Sequence, residues 1–151
     1  MLRGNYSHGV DDKGRVAIPA RFREALSRRL QDERLVVTNF KRRDRPCLDV
    51  YPVASWESFL EKVGEKKRFA PRTGAFEDWY VGNAADVEPD AQGRILIPPQ
   101  LRSFAQIERD VMIVGLTDKF RIWNRELYHQ VNAENEREVF GDPTLLDDLG
   151  L

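Results

Sequence analysis

The 151-residue chain carries one cysteine and two histidines. Cys47 has no internal disulfide partner, and two histidines cannot furnish a His-rich metal site. A secreted disulfide scaffold and a zinc finger are therefore excluded. No apolar run reaches the roughly 18 residues of a membrane span. The first six residues, Met1 to Tyr6, lack the apolar stretch of a signal peptide, so the expected compartment is the cytoplasm. No phosphate loop, dinucleotide fingerprint, Gly-x-Gly pattern or serine elbow appears, and no cofactor is expected. Cys47 lies beside a basic stretch, which can lower a thiol pKa. With His8 and His129 far away in sequence, a packed cysteine is the stronger reading, and no catalytic residue is expected.

The net charge of −1 conceals a cancellation. Residues 1–73 hold 17 Lys/Arg and 10 Asp/Glu, whereas residues 74–151 hold 7 and 15. A chain split into +7 and −8 halves points to nucleic acid or to self-association, since a basic half neutralises phosphates or meets the acidic half of another copy. Solvated surface that happens to be sorted explains the charge alone equally well.

What the sequence does have is an internal repeat. Asp11-Asp12-Lys13-Gly14-Arg15-Val16-Ala17-Ile18-Pro19 recurs 79 residues later as Asp90-Ala91-Gln92-Gly93-Arg94-Ile95-Leu96-Ile97-Pro98. Leu48-Asp49-Val50-Tyr51 aligns with Phe120-Arg121-Ile122-Trp123 at an offset of 72. The first copy is thus longer by 7 residues, an excess expected to include the basic loop Lys41 to Arg45. Two copies do not make a solenoid. Each half is near the size where a core becomes marginal, so the two should pack or interleave as one module. The expected organisation is a first half over 1–73, a second over 74–140 and an acidic tail over 141–151.

In each copy Asp followed three residues later by Gly marks a tight turn, with Asp bonding backbone N–H groups and Gly accepting positive φ. Val16 and Ile18, like Ile95 and Ile97, alternate as the buried face of a strand. Pro19 and Pro98 end those strands and suit a helix start. Phe22, Leu26 and Leu30 share a helical stripe. Strands are expected over Leu35 to Phe40, Leu48 to Tyr51, Val111 to Val114 and Phe120 to Trp123. Helices are expected over Val53 to Val63, Leu101 to Ile107 and Arg125 to Val139, the last behind Asn124 as N-cap. Trp56 and Trp79 are expected in the core. Gly64 to Gly74 should be a helix end and connector, and the tail from Gly141 loosely ordered.

Asp11 and Asp90 could be imagined as an acid/base pair, but their matching place in a turn favours a capping role. Each turn delivers an arginine, Arg15 or Arg94, directly after its glycine. A guanidinium oriented by a neighbouring aspartate can make a bidentate contact to guanine O6 and N7. Lys13, Arg21, Arg23 and Arg102 offer phosphate contacts, which fix position without reading sequence. An ordinary surface hairpin whose arginine is a weak ion pair is the competing account, and recurrence of the unit counts against it.

Arg3-Gly4-Asn5-Tyr6, the Asp11 to Arg23 stretch, Leu48-x-x-Tyr51-Pro52-x-x-x-Trp56 and the matching second-half motifs together resemble the MraZ family of bacterial regulators, over roughly Met1 to Val139. The resemblance implies a mainly β (α+β) fold: two homologous AbrB-like swapped-hairpin halves forming a pseudo-twofold β-barrel with flanking helices. It implies a nucleoid-associated repressor of the division and cell wall gene cluster, including its own promoter. Such a protein binds double-stranded DNA at short direct repeats as a ring-shaped homo-oligomer. The family's Asp-x-x-x-Arg element falls on Asp11 and Arg15 and again on Asp90 and Arg94, which carries the DNA contact over to Arg15 most firmly. Gln92 and Gln100 replace Lys13 and Arg21 in the second copy, so the second face is less basic. Glu134, Glu136 and Glu138 make a poor DNA surface and suit subunit contacts, or no partner at all. Two other classes compete: an antitoxin-like interaction module of the same fold that binds a protein partner, and an enzyme using Cys47.

Overall fold

The structure is a computed structural model that describes residues 1–67 and 72–151, the side chains of Arg29 and Leu30 excepted. Strand β1 (Leu2–Gly9) leads through the first Asp-Gly turn into the short β2 (Arg15–Ala17). Val16 and Ile18 are buried, as their alternation predicts. Pro19 then precedes α1 (Ala20–Ala25), which continues as one π-helical turn over Leu26–Leu30. Phe22 and Leu26 occupy the core. The expected contribution of Leu30 lies outside the described side chains.

Strands β3 (Leu35–Arg42) and β4 (Arg45–Pro52) form a hairpin joined by Arg43 and Asp44 alone. Both linking residues sit at positive φ, +53° and +62°, as tight hairpin turns with the strands' own twist require. The expected basic loop is thus mostly strand. Helix α2 (Val53–Lys67) buries Trp56. The expected connector begins later than Gly64, which is still helical, and residues 68–71 lie outside the described part. Helix α3 (Thr73–Phe76) runs into a π-helical turn at Glu77–Val81, which sends Tyr80 into the core.

The second half repeats the order with β5 (Ala85–Val87), β6 (Arg94–Leu96), α4 (Pro99–Phe104), β7 (Asp110–Thr117) and β8 (Phe120–Asn124). Helix α5 (Arg125–Gly141) starts where expected, the Asn124 side chain accepting from the Glu126 and Leu127 N–H groups at 3.0 and 3.2 Å. The tail departs from expectation. Asp142 accepts from the Thr144 N–H at 3.1 Å and caps a further helix, α6 (Pro143–Asp148), whose first residue is a proline with no N–H to lose.

The fold is α+β. One antiparallel sheet runs β1-β7-β8-β4-β3-β5, and β2 pairs with β6 in a separate two-stranded ribbon. Along the sheet β1 of residues 1–73 is followed by β7 and β8 of residues 74–140, then by β4 and β3 of the first half and β5 of the second, so the two halves interleave. The six-stranded order is open, with β1 and β5 at its edges, so the barrel implied by the resemblance is not closed by these pairings. Two registers join matched positions of the repeat: Val16 pairs with Ile95, and Asp49 pairs with Arg121. The main core draws on both halves, with Ile18, Phe22, Leu48 and Val50 packed among Ile97, Leu101, Phe120 and Ile122. Burying one such side chain stabilises by roughly 1.5–3 kcal/mol. A second cluster gathers Tyr51, Trp56 and Tyr80, with Trp79 half-buried at its margin.

At the centre of the β4–β8 pairing lies a buried charge. Asp49 is fully buried and accepts from Arg121 Nε at 2.6 Å and from the Tyr80 hydroxyl at 2.6 Å. Lys119 Nζ stands 3.5 Å from the same carboxylate and donates to the Tyr51 hydroxyl at 3.1 Å. Burial, reinforced by Asp49, pushes the Tyr80 hydroxyl far above its ordinary pKa, so it remains a donor. The Arg121 guanidinium also covers the Phe40 ring, 4.8 Å from its centroid.

Candidate nucleic-acid interface

Each Asp-x-x-Gly-Arg turn is built by its own aspartate. Asp11 Oδ1 accepts from the Lys13 and Arg15 backbone N–H groups, both at 2.9 Å, while Oδ2 accepts from Arg15 Nε at 2.7 Å. Asp90 repeats the pattern with Gln92 N at 2.9 Å, Arg94 N at 3.0 Å and Arg94 Nε at 3.1 Å. One carboxylate thus closes the turn and fixes the angle of its guanidinium. The Arg15 backbone N–H foremost, then the Arg15 side chain and the Lys13 N–H, hold the Asp11 carboxyl at about 2. The Arg94 backbone N–H lowers Asp90 in the same way.

The ribbon of β2 and β6 sets the two turns side by side. Ile97 N donates to Gly14 O and Ile18 N to Gly93 O, each at 3.0 Å. Arg94 Nη1 comes within 3.7 Å of Asp11 Oδ2, so the first carboxylate faces both guanidinium groups. Arg15 and Arg94 remain about one-third and somewhat under one-third exposed.

Both glycines are needed for space as well as for conformation. Gly14 lies at φ +85° and Gly93 at +75°. A Cβ on Gly14 would collide with the Arg102 guanidinium, and one on Gly93 would fall 2.5 Å from Arg23 Nη1. Arg102 on α4 therefore lies over the first turn, and Arg23 on α1 over the second, each helix crossing to the opposite copy. The sequence offers no signal for this exchange, because spacing within a copy carries no sign of which copy it packs against.

Eight of the ten expected site residues converge here: Asp11, Gly14, Arg15, Asp90, Gly93 and Arg94 in the turns, with Arg23 and Arg102 over them. Lys13 is exposed at the tip of the first turn. Arg21 instead lines a groove between β1 and α1, with Arg3, Tyr6, Phe22 and Arg28. The other basic stretch is neutralised internally: Arg45 binds Glu134 at 3.0 and 2.7 Å, and Arg43 pairs with Glu138. Glu134 and Glu138, read from the sequence as suited to subunit contacts or to no partner, are committed to the β3–β4 hairpin.

Cys47 is packed in the core, its thiol pushed up to about 12 by burial first of all. It has neither the exposure nor the thiolate of a nucleophile. Among the described residues no cluster of three His, Cys, Asp or Glu could hold a metal ion, and no helix is long and apolar enough to cross a membrane.

The family model described as MraZ protein, antitoxin-like, matches residues 1–78 and 80–146. The chain belongs to the MraZ family. Among its relatives is the transcriptional regulator MraZ of Nitrosospira multiformis, 39% identical over 129 residues and covering 85% of each chain. The same-named protein of Desulfitobacterium hafniense is 36% identical over 151 residues, the full length of both. That of Pseudoalteromonas translucida is 35% identical over 143 residues, 94% of this chain and 92% of its own. A solution structure of PHS018 from Pyrococcus horikoshii resembles the chain with a TM-score of 0.36 and 12% identity, over 81% of this chain and 88% of that one.

Proposed function

We propose that this protein is a sequence-specific DNA-binding transcriptional regulator, a repressor of the division and cell wall gene cluster that includes its own promoter. It acts as a ring-shaped homo-oligomer on short direct repeats of double-stranded DNA. The regulator class follows the names of its relatives; the gene cluster, repeats and ring follow the family resemblance. One observation carries the DNA contact: two aspartate-oriented arginines stand side by side, with Arg94 Nη1 3.7 Å from Asp11 Oδ2.

In this account Arg15 and Arg94 read base edges, while Asp11 and Asp90 set their angle and Gly14 and Gly93 make the turns. Lys13, Arg21, Arg23 and Arg102 face phosphates and fix register. The two halves are AbrB-like swapped hairpins about a pseudo-twofold axis, with residues 141–151 as an appended segment. Supporting this are the matched pairings Val16 with Ile95 and Asp49 with Arg121, and the exchange by which β1 pairs with β7 while β5 pairs with β3.

Fluorescence anisotropy on the protein's own upstream promoter DNA and on a scrambled duplex, across a salt series, tests this function. Tight binding to the promoter alone, weakening with salt as phosphates are neutralised, is the expected result. Equal binding to both duplexes means an architectural role. No binding to either by folded protein moves the function to a protein partner, the antitoxin-like alternative.

A further inference from the structure

The segment 140–151 presents apolar side chains left exposed among the described residues. Phe140 is 72% exposed, Leu149 65% and Leu151 84%, with Leu145 also exposed. Asp142, Asp147 and Asp148 lie among them, with no Lys or Arg in the segment. Phe140 stands at the end of α5, Leu145 in α6 and Leu149 and Leu151 after it, so four exposed apolar side chains fall within twelve residues, a cluster of the kind that marks an interaction site.

A complementary surface exists elsewhere on the molecule. Between the edge strand β1 and helix α1 lies an open groove of about 780 Å³. Met1, Tyr6, Phe22 and Ala25 supply its apolar lining, and Arg3, Arg21 and Arg28 outnumber Glu24 among its charges. None of these three arginines has an ion-pair partner among the described residues. The acidic groups of α5 cannot serve them all, since Glu134 and Glu138 already bind the β3–β4 hairpin. The segment 140–151 of the acidic half holds both exposed apolar groups and, in Asp147 and Asp148, carboxylates in no ion pair among the described residues.

We infer that the α6 segment of one copy seats in the β1–α1 groove of a second copy, making a heterologous, head-to-tail contact. Phe140, Leu145 and Leu149 meet the lining, and Asp147 and Asp148 meet Arg3 and Arg28. A helix laid in a groove buries its apolar stripe and leaves its charges at the rim. The contact also covers part of the exposed edge of β1. Because donor and acceptor surfaces differ, each copy offers one of each and assembly can proceed from copy to copy. This deepens the ring proposed above by naming its joint; the two turns with Arg15 and Arg94 stand apart from it, and of the residues assigned to phosphates Arg21 alone lines the groove.

Two full-length variants test the joint. Arg3→Glu with Arg28→Glu spoils the groove, and Phe140→Ser with Leu149→Ser spoils the segment. Neither pair touches the turns, and circular dichroism checks that both fold. Light scattering after size exclusion should show the parent as a multi-copy assembly and each variant alone as a monomer. Mixing the two variants should give a 1:1 dimer, because one intact groove then meets one intact segment. A parent assembly that both variants retain overturns the joint and leaves the ring. Folded variants that separate yet give no dimer on mixing also overturn it. A monomeric parent overturns the joint and the ring together.

Discussion

Asp11 and Arg94 belong to different copies of the repeat, yet Arg94 Nη1 lies 3.7 Å from Asp11 Oδ2, the oxygen that also accepts from Arg15 Nε at 2.7 Å. One carboxylate therefore faces both candidate base-reading arginines. Asp11→Asn keeps the shape of the turn but removes the charge that both guanidinium groups face. It should weaken promoter binding more than Asp90→Asn, whose carboxylate pairs with the guanidinium of its own arginine. Anisotropy titrations of the two variants, with protein folding checked in parallel, make the comparison.

Gly14 cannot be replaced without disturbing both its turn and Arg102. Gly14→Ala should cost about 1–2 kcal/mol for the left-handed backbone, plus the displacement of Arg102. Arg102→Ala in the same chain should recover the second part only. Urea unfolding of the two single variants and the double variant separates the contributions.

Asp49 is fully buried between cations. Asp49→Leu would leave Arg121, whose side chain is 12% exposed, and Lys119 facing each other without a counter-charge. Breaking such a pair from one side costs about 3–5 kcal/mol. At roughly 2–4 °C per kcal/mol for a domain of this size, the melting temperature should fall by about 6–20 °C. A melting temperature unchanged within error would remove the pair from the account of stability.

Acid should leave the first turn intact longer than an ordinary carboxylate would allow. The Asp11 carboxyl is depressed to about 2 in the folded chain, against 3.8 for its ordinary value. A depressed carboxylate contributes its stabilisation in full above the unfolded pKa and loses it as pH falls through the folded pKa. The turn should therefore weaken between about 4 and about 2 and be unaffected by pH above that window. Carbon-13 NMR titration of the Asp11 carboxyl should give a midpoint near the lower value.

Cys47 should behave as a packing residue. A thiol pushed up to about 12 holds almost no thiolate at neutral pH. A thiol reagent at pH 8 should label it only after denaturation, and Cys47→Ala should bind promoter DNA like the parent. Rapid labelling of the folded chain would contradict its burial.

The periodic parts of the chain were legible because their rules are local. The apolar alternation at Val16–Ile18 and Ile95–Ile97, the cap at Asn124 and the stripe through Trp56 all carry their own signal. The turn aspartates and their arginines were legible for the same reason, since each unit is closed within five residues. The strands β1 and β5 were not: Arg3, Asn5 and Ser7 put polar groups along an edge, and β5 is only three residues long. Helix α6 hid behind acidic, tail-like composition, although Asp142-Pro143 is a proper helix start. The buried Asp49–Arg121 pair left one overlooked trace, an acid and a base at matched positions of the repeat. Which helix crosses to which turn is a tertiary fact with no local period.

The two turns are proposed to act as one DNA-reading surface. Promoter and scrambled-duplex affinities for Arg15→Ala, Arg94→Ala and the double variant, measured at one fixed salt concentration, test it most directly. Each single variant should lose about 1–3 kcal/mol of binding to the promoter, and the double variant should bind it no better than scrambled DNA. A folded double variant that binds the promoter as tightly as the parent would contradict the account.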